Sequence, residues 1–415
     1  MHHINVEFDD AARTRNALRD FGFDDFFMAR CAGAAAGEIP GRVVEANRGR
    51  YRVACAPAAE GGRAAEAALP FGDEEAEGGA KGGRRSPGAA AAVLREVEAQ
   101  ASGAVAAGGP IVAGDWVLLR DAGGGRPWER ALVTALLPRR SSIVRKAPGD
   151  AAHDRVEAQV LAANVDLALI VMAAGRDYNP RRLERYLALV RGSGAEGAVV
   201  ITKADLAEDP AALEDEVAGL AGGLRCVLAC APEGRGLEEL GGLLEAGRTV
   251  VLLGSSGAGK STLLNALAGR ELARTNAVRA DDQRGRHTTT TRQLYRLPSG
   301  ALVIDTPGLR ELQLWADEET VLGAFPDIEA LAAECRFRDC GHGEEPGCAL
   351  RAALESGELD RGRYESWRKL SREAAYLRGR DDPLARREEE QRWKAINKSM
   401  RGYSKERRSI QGRAR

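Results

Sequence analysis

The apolar positions of this chain change rhythm near residue 154. Before that point short runs dominate. "GRVVEANRGRYRVAC" (41–55) reads as two strands around an Asn-Arg-Gly turn. "AGDWVLLRD" (113–121) and "ERALVTALLPR" (129–139) read as further strands. Short strands broken by Gly turns predict a small barrel or sandwich over residues 1–150. Within it, residues 56–109 are rich in Ala, Gly and Glu and read as a low-complexity insertion.

After residue 154 the runs lengthen and alternate with helical spacing. "NVDLALIVMAA" (164–174), "GAVVITKADL" (197–206), "RCVLACAPEGRGLEEL" (225–240), "RTVVLLG" (248–254) and "ALVIDTPG" (301–308) each carry a strand. "PRRLERYLALVRGSG" (180–194) has helical apolar spacing. Buried-type strands between amphipathic helices predict a parallel sheet covered on both faces, an α/β domain over residues 154–322. Ligands of such sheets sit at the carboxyl ends of the strands. A C-terminal domain over 323–415 opens with cysteines and continues in polar helix formers, "YESWRKLSREAAYLRGR" (364–380) and "REEEQRWKAINKSMRGYSKERR" (387–408).

Composition narrows the class. With 44% hydrophobic residues and no apolar stretch near the length of a bilayer span, no membrane partner is expected. "MHHINVEFDD" lacks the basic-then-apolar secretory pattern, so the cytoplasm is the expected location. Seven cysteines, an odd number, argue for reduced thiols or a metal site over a disulfide framework. The net charge of -1 gives no global basic signature, yet residues 391–415 hold nine Lys/Arg against one acidic residue. Only eight of the 60 basic residues are Lys, and two of these are Lys203 and Lys260. A Lys retained in an Arg-rich chain points to a site that needs a compact ammonium.

Lys260 belongs to "GSSGAGKST". Gly254, Gly259, Lys260 and Ser261 fit G-x-x-x-x-G-K-[ST] between a strand and a helix, the context of a phosphate-binding loop. The backbone of Gly254, Ser255, Ser256, Gly257, Ala258 and Gly259 would wrap phosphates, and Lys260, Ser261 and Thr262 would open the helix. Lys260 is expected between the β- and γ-phosphates and Ser261 on Mg²⁺. In "DTPG", Asp305 would hold the same Mg²⁺ and the Gly308 N–H would meet the γ-phosphate. "GRHTTTTR" (285–292) lies between them as a switch segment. Thr289 is the favoured ligand of Mg²⁺ and the γ-phosphate, with Thr288 and Thr290 as alternatives.

"TKAD" supplies Thr202, Lys203 and Asp205 and matches the [NT]-K-x-D element of guanine readers. Its Asp accepts from the guanine ring N–H and exocyclic amine, a donor pair that adenine lacks. Lys203 can lay its stem over the base. Cys230 and Ala231 suit the companion loop whose backbone meets guanine O6. Thr202 stands where Asn is usual, which predicts a weaker tether to the phosphate loop. Cys230 stands for Ser at little expected loss. The motif order is unusual, because the base readers precede the phosphate loop. A parallel sheet can keep one site when the chain is cut and rejoined, since packing fixes strand positions more than chain order does.

"CRFRDCGHGEEPGC" reads C-x4-C-x-H-x5-C. Cys335, Cys340, His342 and Cys348 make a closed Cys₃His set, the composition of a structural Zn²⁺ site.

Together these motifs resemble the RsgA (YjeQ) family of circularly permuted GTPases. "GDWV", "LPRRSSIVRKAPG", "GSSGAGKSTLLNAL", "DTPGLREL" and the cysteine segment carry the likeness over nearly the whole chain. The resemblance implies an N-terminal OB-fold barrel, a permuted P-loop GTPase domain and a zinc-binding domain with helices. It implies slow GTP hydrolysis, stimulated by the small (30S) ribosomal subunit, during late maturation of that subunit. It also makes the barrel and zinc domain rRNA-facing, with Arg139, Arg140, Arg145 and Lys146 as candidate phosphate contacts. Leu309 follows Gly308 where many GTPases have Gln, so His287 is the candidate to position water, or else only to order its loop. A monomer is expected. The rivals are a P-loop ATPase or kinase, a non-enzymatic RNA-binding zinc protein, and a GTPase of another RNA or the large subunit.

Overall fold

The computed structural model describes residues 16–47, 49–57, 94–123, 127–146, 158–272, 292–305, 316–343 and 345–381. The chain divides into two compact units, residues 1–145 with 159–312, and residues 146–158 with 313–415.

In the first unit a short helix, α1 (Asp25–Arg30), is capped by the Asp24 carboxylate and precedes five strands. These are β1 (Ile39–Asn47), β2 (Arg50–Cys55), β3 (Arg95–Ala101), β4 (Trp116–Asp121) and β5 (Arg130–Leu136), with α2 (Gly103–Ala107) between β3 and β4. They pair in the order β1-β2-β3-β5-β4, and β4 pairs back onto β1, which closes an OB-like barrel. Val43, Val53, Val97, Val117, Leu119 and Val133 fill it.

β3 corrects a sequence expectation. It lies inside the segment read as an insertion (56–109), as does α2, so within that segment residues 94–109 belong to the barrel. "REVEAQA" is built from weak strand formers, and composition hid it. Pairing decides the matter: β3 runs antiparallel to β2 and parallel to β5, with Val97 and Ala99 turned inward and Glu98 and Gln100 outward. Residues 58–93 lie outside the described residues.

A two-stranded sheet, β6 (Ser142–Lys146) with β7 (Ala158–Ala163), follows. The α/β part then runs β8 (Leu167–Ala173), α3 (Pro180–Arg191), β9 (Glu196–Thr202), α4 (Pro210–Ala221), β10 (Arg225–Leu228), α5 (Leu237–Gly241), β11 (Thr249–Leu253), α6 (Lys260–Ala268), β12 (Arg292–Arg296) and β13 (Leu302–Asp305). The spatial order β10-β9-β8-β11-β13-β12 is parallel except for the antiparallel β12. Every residue of β8 and β11 is buried, as their unbroken apolar runs require. β12 also pairs with β1 through Glu45↔Gln293 and Ala46↔Arg292, so one eleven-stranded sheet joins barrel and α/β part.

The joint is polar and buried. Arg42 of β1 is 1% exposed and donates to Phe21 O (3.0 Å), Asn164 O (3.1 Å) and Thr249 Oγ1 (3.0 Å). Burial pushes its pKa down to about 10, so it stays charged at neutral pH. Thr249 starts the strand that leads to the phosphate loop, and its N–H donates to the Asp166 carboxylate (2.8 Å). Gly114, at φ +90°, passes so close to Ala163 that a Cβ would lie 2.2 Å from its carbonyl oxygen; no other residue fits.

The second unit contains α7 (Glu318–Gly323), α8 (Pro326–Ala333), α9 (Ala349–Ser356) and α10 (Arg361–Asp381). A two-pronged ion pair from Arg363 to Asp327 (2.5 and 2.6 Å) ties α10 to α8. The helix expected at 387–408 and the basic tail lie outside the described residues.

Candidate functional site

Five parallel strands, β10, β9, β8, β11 and β13, end at one edge of the sheet. The loops that leave this edge carry the expected nucleotide-binding residues. After β11 the chain turns at Gly254 (φ +156°), where a Cβ would stand 2.2 Å from Val171 O of β8. Ser255, Ser256, Gly257 and Ala258 complete the loop, and Gly259 (φ +85°) precedes Lys260 at the start of α6. Ser261 and Thr262 occupy its first turn, where free N–H groups and the helix dipole favour an anion. The Lys260 ammonium donates to Gly254 O (2.8 Å) and Ser255 O (2.7 Å), which turns it over its own loop.

β9 ends in Thr202, whose Oγ1 lies 2.6 Å from Ala258 O and 3.2 Å from Met172 O. A Cβ on Gly259 would meet this hydroxyl at 3.1 Å. The TKAD loop is thereby fastened to the GSSGAGKST loop by a short bond from Thr202. Lys203 adopts the left-handed conformation (φ +54°), a bend that starts the short turn Ala204–Leu206 holding Asp205. Ala204 N–H donates to Ala229 O (3.2 Å), which stitches this turn to the loop after β10.

In that second loop Cys230 and Arg235 exchange backbone hydrogen bonds (3.1 and 3.2 Å) around the turn that begins at Ala231. The Cys230 thiol donates to Asp205 Oδ1 (3.2 Å), a contact that sequence reading missed. Burial, then this bond to a carboxylate, raise the thiol pKa, so Cys230 serves as a neutral donor that orients Asp205. A second missed contact reaches Ser255 from α3, where Arg182 Nη1 donates to its Oγ (3.1 Å).

Asp305 ends β13 on the same edge. Gly308, Leu309, His287, Thr288, Thr289 and Thr290 lie outside the described residues.

Three of the basic residues expected to face RNA make contacts within the chain. Arg139 makes a two-pronged pair with the buried Asp115 carboxylate (2.7 and 2.8 Å). Arg140 bridges Asp24 (2.7 Å) and Asp166 (2.6 Å). Arg145 donates to Gln159 (3.1 Å).

The second unit holds a separate cluster. The ligand atoms of Cys335, Cys340, His342 and Cys348 all lie within 4.8 Å of one another. Cys335 Sγ and Cys348 Sγ are 3.6 and 3.8 Å from His342 Nδ1. A tetrahedron with Zn–S of about 2.3 Å and Zn–N of about 2.0–2.1 Å has edges of roughly 3.5–3.8 Å, which these two S–N distances match. Its frame is local. Glu345 accepts from Gly341 N (3.1 Å) and Gly343 N (2.7 Å), Arg336 N donates to Gly347 O (3.1 Å), and Tyr364 OH of α10 donates to His342 O (2.7 Å). The Trp367 ring stands edge-on to the imidazole at 5.6 Å. Burial lowers the His342 pKa, which keeps the ring in the neutral form a metal needs.

The family model described as RsgA GTPase matches residues 136–315. A relative from Opitutus terrae, named small ribosomal subunit biogenesis GTPase RsgA, is 48% identical over 72% of this chain and 81% of its own. A relative from Oceanobacillus iheyensis, named small ribosomal subunit biogenesis GTPase RsgA 1, is 44% identical over 68% of this chain and 79% of its own. The crystal structure of YjeQ from Thermotoga maritima superposes with a TM-score of 0.53 at 24% identity, covering 81% of this chain and 98% of that one. That of YloQ, a circularly permuted GTPase, gives 0.51 at 21% identity, covering 82% and 96%. With TKAD ahead of GSSGAGKST, the same fold and relatives at this identity, the chain belongs to the RsgA family of GTPases.

Proposed function

We propose that this chain hydrolyses GTP to GDP and phosphate and acts on the small ribosomal subunit during its late maturation. The observation that carries the reading is the bond from Thr202 to Ala258, which joins a guanine-type reader to a phosphate loop across the sheet edge. Asp205, oriented by Cys230, would accept from guanine, and Lys203 would cover the base. The loop 254–259 and the α6 N-terminus would bind the phosphates, with Lys260 between β and γ. Ser261, Asp305 and Thr289 would hold Mg²⁺, which neutralises charge on the β- and γ-oxygens. Gly308 would meet the γ-phosphate, and His287 would position the attacking water. The four residues of the second unit would hold one structural Zn²⁺ and take no part in the chemistry.

The partner follows from the names of the relatives, which are small-subunit biogenesis GTPases. We place the chain in the cytoplasm as a monomer that touches rRNA. The test is phosphate release from GTP and from ATP, each with and without purified small subunits. GTP-selective turnover that rises with small subunits is expected. Equal use of ATP would defeat the base-reading assignment, and turnover indifferent to small subunits would defeat the partner.

Thr202→Val keeps the shape of the side chain and removes the hydroxyl. Ala258 O then loses its partner, at about 1–3 kcal/mol. GDP and GTP affinities should fall together, by up to about 5- to 150-fold, in a titration with fluorescent nucleotides. Unchanged affinities would show that the tether does no work in binding.

A further inference from the structure

Arg182 has no part in the reading above. It lies in the first turn of α3, where the Asn179 side chain accepts from its backbone N–H (3.1 Å). A cation at the start of a helix faces the positive end of the helix dipole, an unfavourable place. Its neighbour Arg181 offsets this through Glu184, whose carboxylate is buried (2.6 Å). Arg182 has no such relief: among the described residues it forms no ion pair, and its guanidinium is spent on the neutral hydroxyl of Ser255 (3.1 Å).

Ser255 stands at a position the phosphate-loop motif leaves open. It is held from two sides. Arg182 binds its Oγ, and the Lys260 ammonium binds its carbonyl oxygen at 2.7 Å. Beside Gly254 O, one of the carbonyls that hold Lys260 therefore belongs to a residue whose side chain takes a charged hydrogen bond from a separate helix. Lysine is a point charge on a flexible stem, so the worth of its charge depends on what holds the stem. In phosphoryl transfer the protein acts almost wholly by positioning and by placing charge where the transition state needs it.

We propose that Arg182 is a positioning residue for hydrolysis, acting through Ser255 on the ammonium of Lys260. The proposal deepens the reading of this site as a GTPase and rests on it. Such a role predicts a loss in the rate of the chemical step with little change in ground-state binding.

The experiment compares single-turnover GTP hydrolysis and GDP affinity in the full chain and four variants: Arg182→Ala, Arg182→Lys, Ser255→Ala, and the double Arg182→Ala/Ser255→Ala. Arg182→Ala and Ser255→Ala should each slow hydrolysis about tenfold while GDP affinity stays within about threefold. The double variant should be no slower than the slower single one, since both remove the same contact. Arg182→Lys should regain part of the rate, because an ammonium can also donate to the hydroxyl. Several results would overturn the proposal: an Arg182→Ala rate equal to wild type, a slow Arg182→Ala beside a normal Ser255→Ala, or losses that multiply in the double variant. A lowered melting temperature with equal loss of GDP and GTP affinity would assign Arg182 to the stability of α3 and overturn it too. A wild-type chain that binds GTP without hydrolysing it defeats the functional reading, and the proposal with it. Wild-type hydrolysis with an indifferent Arg182→Ala defeats the proposal alone.

Discussion

Replacing Asp205 by Asn should lower GTP affinity by about 10²- to 10⁴-fold and transfer preference to xanthosine triphosphate. The carboxylate of Asp205 accepts only, and guanine offers two donors, the ring N–H and the exocyclic amine. Each hydrogen bond to a charged group contributes about 1.5–3 kcal/mol, so the pair amounts to about 3–6 kcal/mol. Asn presents one acceptor and one donor. The donor faces the guanine amine, which is repulsive, but it suits xanthine, whose carbonyl replaces that amine. The frame around the side chain limits its escape. Asp205 sits in a one-turn helix pinned to the next loop by Ala204, and the Cys230 thiol holds its Oδ1 at 3.2 Å. Competition of GTP, xanthosine triphosphate and ATP against a fluorescent guanine nucleotide reads the outcome. Unaltered GTP affinity in Asp205→Asn would remove Asp205 from base recognition.

The motif-bearing loops were legible because their chemistry is local. A Gly at φ +156° against a neighbouring strand, a Lys after a second Gly, and an Asp after a strand end leave marks in sequence at fixed spacing. The parallel strands were legible for a related reason, since burial on both faces demands unbroken apolar runs such as β8 and β11. What stayed hidden depends on partners far away in the chain. β3 looks like a low-complexity stretch until β2 and β5 flank it. The contact of Cys230 with Asp205 spans 25 residues, and that of Arg182 with Ser255 spans 73. The acidic partners of Arg139 and Arg140 were hidden in the same way, since Asp115, Asp24 and Asp166 come from three separate segments. The contact of Thr202 with Ala258 was hidden too. Its shorter side chain reaches Ala258 because the backbone at Gly259 approaches closely, which the residue type alone does not reveal.

Removing the metal should cost the second unit more than any single core substitution. Three thiols and an imidazole whose ligand atoms lie within 4.8 Å of one another would be drawn together by a cation, which would hold the shape of the loop between Cys335 and Cys348. Apart from the hydrogen bonds of Glu345, Arg336 and Tyr364 it has little apolar burial. Of the four cluster residues only Cys348 is classed as buried, and Phe337 within the loop is 43% exposed. Structural zinc contributes about 10–16 kcal/mol in small zinc-dependent peptides, comparable to the whole stability of a typical domain at about 5–15 kcal/mol. The purified chain should therefore carry one zinc ion, and Cys348→Ser should carry close to none. Cys348 also precedes α9 directly, so its loss should fray that helix as well as the loop. Cys31, outside the cluster, serves as the control, and Cys31→Ser should retain the ion. Trp367, edge-on to His342, gives a local reading: its fluorescence, isolated by comparison with Trp367→Phe, should change when a chelator strips the metal and return when zinc is restored. A Cys348→Ser chain with full zinc content, or a chelated chain with undisturbed Trp367 emission and unchanged protease resistance across 335–356, would show that these four residues do not hold a structural metal.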